Sequence, residues 1–113
     1  MLTIDALKGI GVEPEDGLKR CLNNEDFYLN LVKMVPADQG FQKLQDSLEA
    51  GDLDGAFEAA HALKGVLSNL SLTPLCKPVE EITELLRART DMDYSELLQE
   101  ILEKRTALEG LCE

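Results

Sequence analysis

Apolar residues recur three and four positions apart along this chain, and the signals of strands are weak. That spacing is the period of an amphipathic helix. Runs of β-branched residues are absent. The two Asp-Gly pairs, Asp16-Gly17 and Asp54-Gly55, lie among helix formers and not between alternating apolar stretches, so no hairpin is indicated. An all-α fold follows.

The helices can be placed from their punctuation. Ile4, Leu7 and Ile10 predict a short first helix ended by Gly11, and Pro14 suits the first position of a second carrying Leu18 and Leu22. Asn23-Asn24-Glu25-Asp26 offers a cap with acids behind it. Phe27, Leu31 and Met34 then form one face until Pro36 halts the run and opens the next helix. There Phe41, Leu44 and Leu48 point inward and Gly51 closes the element. Asp52 caps a helix whose inward set is Leu53, Ala56, Ala60, Leu63, Leu67 and Leu70. Thr73-Pro74 reads as cap and first turn of another, packing Leu75, Val79, Ile82 and Leu86, with Pro78 either bending it or marking its true start. Asp93 and Glu96 have capping-box spacing ahead of Leu97, Ile101, Leu108 and Leu111. Short connections favour antiparallel neighbours, so the expected architecture is an up-and-down antiparallel four-helix bundle with an additional short N-terminal helix. Residues 1–113 are expected to form one domain.

Composition narrows the function. Lys and Arg total 11 against 22 Asp and Glu, a net charge of −11. Nucleic acid and anionic membrane surfaces are therefore poor partners, since both are bound through cationic side chains. No apolar stretch approaches the ~20 residues of a membrane span, and Met1-Leu2-Thr3-Ile4-Asp5 lacks the start of a signal peptide. Cys21, Cys76 and Cys112 are odd in number and far apart, as expected of reduced thiols packed as small apolar groups in a cytoplasmic protein. No metal site is indicated.

Ala60-His61-Ala62-Leu63-Lys64-Gly65 carries the chemistry. On an ideal helix at about 100° per residue, His61 falls roughly 140° from the middle of the apolar cluster, facing water. Phe57, Lys64, Gly65 and Ser68 share its stripe at i−4, i+3, i+4 and i+7. A neutral imidazole is already a nucleophile near neutral pH. Lys64 can offer charge to phosphoryl oxygens, and Ser68 a hydrogen bond. Glycine inside a helix costs about 1 kcal/mol relative to alanine, and an outward position seldom requires it. Gly65 beside His61 instead clears the surface for a partner's approach. The plainer accounts are a solvated Lys64 and a close helix contact at Gly65, but the latter's angle points away from the core. Phe57 suits an apolar docking patch.

The run His61-Ala62-Leu63-Lys64-Gly65, then Leu70 and a small residue at position 71, resembles the H-x-L-K-G core of histidine-containing phosphotransfer (HPt) domains. Gly17-Leu18-Lys19-Arg20, Asn24 to Leu29 and Leu31 to Met34 are similar to that family's N-terminal helices. The resemblance implies a bundle in which His61 accepts a phosphoryl group from a receiver-domain aspartate and passes it to another receiver. Lys64 would be the charge partner and Gly65 the residue allowing close approach, with Phe57 and Ser68 meeting the partner. Where many members have glycine at a close helix contact this chain has Ser71, so slightly altered packing is expected there. Response-regulator receivers, and a hybrid sensor kinase upstream, are the implied partners of a monomeric, free-standing carrier. With no GxxxxGK[ST] loop and no carboxylate cluster, neither a nucleotide, a cofactor nor a resident metal is expected, and the chain reads as a carrier and not an enzyme.

One tripeptide offers an alternative. Asp46-Ser47-Leu48 mimics the attachment site of acyl carriers, which are also small, acidic and helical. In those proteins the serine opens a helix, whereas Ser47 falls late in one. A helical interaction module without phosphorylation is the third reading.

Overall fold

Four short polar side chains start four of the seven α-helices. Thr3, Asn24, Asp38 and Asp52 accept the backbone N–H of Ala6, Phe27, Gly40 and Gly55 at 3.0, 3.1, 2.7 and 2.9 Å, satisfying donors that a helix's first turn leaves unpaired. The computed structural model describes all 113 residues. It contains α1 (Ile4–Gly9), α2 (Glu15–Arg20), α3 (Glu25–Met34), a 3-10 turn over Val35–Ala37, α4 (Gln39–Glu49), α5 (Leu53–Asn69), α6 (Thr73–Arg87) and α7 (Ser95–Cys112). There are no strands.

The helix ends share one geometry. After α1, α2, α4, α5 and α6 a residue turns left-handed: Gly11 (φ 92°), Leu22 (58°), Gly51 (73°), Ser71 (59°) and Arg89 (52°). The next N–H then reaches back into the helix, as in Leu72 to Leu67 at 2.9 Å and Thr90 to Leu85 at 3.0 Å. This is the Schellman closure, which normally uses glycine. Only two of these five positions have it.

From α4 onward each helix packs on the next: α4 on α5, α5 on α6, α6 on α7. Where α4 and α5 meet there is no room to spare, for a Cβ on Gly40 would lie 2.8 Å from Leu63. The Arg105 guanidinium lies over the Phe41 ring at 5.6 Å and ties α7 to α4. One continuous core of 24 buried residues runs from Leu2 to Leu108 and takes in Leu7, Val12, Cys21, Tyr28 and Val32 from the N-terminal third. Tyr28 donates its hydroxyl to the Leu70 carbonyl at 2.7 Å. Arg20 reaches the Asn69 carbonyl at 2.9 Å, so α2 and α3 close the C-terminus of α5.

Several expectations are corrected. The three helices read ahead of Pro36 are all present as α1, α2 and α3, but α3 (10 residues) is no minor piece and nearly equals α4 (11 residues). On α3 the inward stripe is Tyr28, Val32 and then Val35; Phe27 and Met34 are 52% and 67% exposed, with Leu31 half-buried. Both stripes have helical spacing; it is Tyr28, Val32 and Val35 that join the core, with the Tyr28 hydroxyl bonded to the Leu70 carbonyl. Leu22 occupies the left-handed position after α2 and is 89% exposed, while Cys21 takes the buried place. Thr73 is the first residue of α6 and caps nothing. Pro78 neither starts nor ends that helix: it lies buried within it as the sixth residue, where it forgoes the bond a backbone N–H would make to the Pro74 carbonyl. Asp93 accepts the N–H and hydroxyl of Ser95, two residues on, so the Asp93/Glu96 capping box does not form. Ser71 adopts a left-handed backbone (φ 59°), the conformation that favours glycine.

Ser71→Gly should therefore stabilise the protein by about 0.5–1 kcal/mol, the ~1–2 kcal/mol left-handed cost less the freedom gained by the unfolded chain. The urea midpoint would rise at constant slope; an unchanged midpoint would contradict the account. A second outcome concerns alkaline pH. Burial pushes the Tyr28 hydroxyl up from 10.0 to about 12, with Cys21 and Glu15 adding to the shift. The folded state thus holds a proton that the unfolded chain gives up earlier. Stability from this group is whole below pH 10 and drains away as pH climbs toward about 12. Tyr28→Phe should flatten that part of a denaturation profile, while costing about 1 kcal/mol at neutral pH through the lost hydrogen bond.

Candidate functional site

The buried side of α5 is made of Ala56, Ala59, Ala60, Leu63 and Leu67. His61 lies at the middle of the helix and is exposed. One turn earlier, half-buried Phe57 meets it: the ring centroids are 5.7 Å apart and the planes 13° from parallel. Phe57 is approached in turn from α6, where the Arg87 guanidinium carbon lies 5.3 Å from its centroid. Arg87 is itself held by Glu84, Nε to carboxylate 3.2 Å.

Toward the C-terminus the surface opens. A Cβ built on Gly65 would meet nothing within 4 Å, so close helix packing does not explain that glycine. Lys64 is half-buried, and its ammonium makes neither of the two ion pairs in the structure. Ser68 is exposed and donates its hydroxyl to the Gly65 carbonyl at 3.3 Å. Of the expected stripe, His61, Gly65 and Ser68 lie exposed on the side of α5 turned from the core, while Lys64 is half-buried and Phe57 packs against the core's edge. Sequence reasoning missed Arg87 and Glu84, which come from another helix with no motif to announce them.

Behind this face Cys76 points its thiol at the Lys64 carbonyl, 3.9 Å away, and at Glu80, 3.5 Å away. Burial first, and then the Glu80 carboxylate, push that thiol up to about 11. A thiol so reluctant to ionise is packing, not a nucleophile. Ser47 lies in the closing turn of α4, where its carbonyl accepts the Asp52 N–H at 2.8 Å. No group of three or more His, Cys, Asp or Glu converges as metal ligands. No helix is long and apolar enough to cross a membrane.

A helical bundle with a single solvent-facing histidine at mid-helix is the class that fold and site define. The Hpt domain family model matches residues 35–112, from the 3-10 turn to the end of α7. The chain belongs to the Hpt domain family, whose members carry phosphoryl groups on histidine in two-component phosphorelays and act with receiver domains. No curated protein and no solved structure matches it.

Proposed function

We propose that His61 is the phosphoacceptor of this chain, taking its group from a receiver phospho-aspartate and handing it to a second receiver. The observation that carries the reading is an exposed imidazole at the centre of α5 with empty space over Gly65, one turn away. In the forward step the unprotonated ring nitrogen attacks phosphorus, the bond to the aspartyl carboxylate oxygen breaks, and the carboxylate leaves with the electron pair. The ring keeps its other N–H and bears the positive charge until that proton passes to water. Transfer onward reverses these events.

Each neighbour has a task. Lys64 neutralises charge on the phosphoryl oxygens. Ser68 can rotate its hydroxyl from the Gly65 carbonyl to one of those oxygens. Gly65 lets the partner's backbone close to bonding distance, a gain that outweighs the ~1 kcal/mol it costs the helix. The receiver brings the metal and the acyl phosphate. The chain supplies no nucleotide site and works as a carrier, one domain over residues 1–113, monomeric and cytoplasmic.

His61→Gln is expected to abolish phosphoryl uptake and leave helical circular dichroism unchanged; uptake at the parent rate would refute the assignment. Gly65→Gln should slow transfer from a phosphorylated receiver about 100-fold, the scale of an ångström's misplacement at a reacting centre. Its stability should change by less than about 1 kcal/mol. Equal transfer rates would remove the clearance argument.

A further inference from the structure

We propose that Phe57 and Arg87 are positioning residues for the acceptor, a stack across two helices that sets the plane in which His61 presents its lone pair. The proposal rests on the reading of His61 as the acceptor and reassigns Phe57, which its spacing alone suggested for docking. An exposed histidine has a broad, roughly two-fold torsion about its last bond, so nothing intrinsic aims its nitrogen. Here the ring lies within 13° of parallel to Phe57. Phe57 is in turn held by the planar Arg87 guanidinium at 5.3 Å, and Arg87 by Glu84 at 3.2 Å. An apolar docking residue needs only to offer its surface. It needs neither a coplanar imidazole nor a cation on its ring. The chain Glu84–Arg87–Phe57–His61 restricts the orientation of the acceptor's ring plane, and orientation is where a partnered transfer gains rate.

Phosphoramidate, a small donor that releases ammonia as the phosphoryl group moves to the ring, separates positioning from docking because it needs no docked partner. Phe57→Leu should slow uptake from it about tenfold, and Phe57→Tyr, which keeps the ring, should restore the parent rate. Arg87→Gln should slow uptake less, and should have no further effect once Phe57 is leucine; independent effects would mean that Arg87 acts on the phosphoryl group directly and would overturn the stack. His61 is the only histidine, so its ring protons report the stack in nuclear magnetic resonance. Their ring-current shift should vanish in Phe57→Leu and persist in Phe57→Tyr. Unchanged uptake from phosphoramidate alongside slowed transfer from a receiver would make Phe57 a docking residue and end the proposal. If the parent protein takes up no phosphoryl group at all, the reading of His61 fails, and the ring shifts still decide whether the stack exists.

Discussion

Burial of one side of α5 between α4 and α6 is the constraint on which the rest of the molecule depends. Ala56, Ala60 and Leu67 are fully buried and Leu63 nearly so, and each leucine contributes about 1.5–3 kcal/mol by leaving water. With that side fixed, the rotation of the helix is fixed too, and a single stripe remains in solvent. That stripe bears His61, Gly65 and Ser68. Because it adds nothing to the core, it is free to hold residues poor for stability, such as a helical glycine, without threatening the fold.

Rotation alone does not hold a helix in place along its axis. The last carbonyls of α5 do this by finding partners in the N-terminal third. Ser68 and Asn69 are reached by Arg20, and Leu70 by the Tyr28 hydroxyl. Gly17 makes the approach possible, since a Cβ there would lie 2.7 Å from the Tyr28 ring and 2.8 Å from the Leu70 carbonyl. These residues precede the segment matched by the family model, which begins at residue 35. Helix α5 therefore takes part of its anchoring from chain outside that match.

Helix starts were legible at Asn24 and Asp52, where a short polar side chain and the N–H it accepts are neighbours in the chain; the caps Thr3 and Asp38 were not singled out, and the Thr73 cap and the Asp93/Glu96 box do not form. Helix ends were legible only where glycine marks the left-handed turn, at Gly11 and Gly51. Leu22, Ser71 and Arg89 adopt the same turn under tertiary pressure that no local signal records. The face of α3 was misread for a related reason, because Phe27–Leu31–Met34 and Tyr28–Val32–Val35 have the same period and only packing on distant parts of the chain, the Leu70 carbonyl among them, separates the two. At the site the stripe on α5 could be read, being set by a single helix. Arg87 could not, since what brings it to Phe57 is the packing of α6 on α5.

A phosphoryl group arriving on a chain of net charge −11 faces an apparent contradiction, for the protein as a whole repels it. Screening resolves most of this. At physiological salt, exposed charges fade over ~8 Å, so acids at the far end of the bundle carry little weight and the nearest charges govern. Upstream on the stripe Asp54 is paired with Arg89, and on the neighbouring helix Glu84 with Arg87. Lys64 lies on the other side of His61 with no carboxylate partner to neutralise it. On the proposed function the unpaired state of Lys64 matters more than its presence. An ammonium already committed to an ion pair would have to surrender it before assisting transfer, whereas a free one gives its charge wholly to the incoming oxygens.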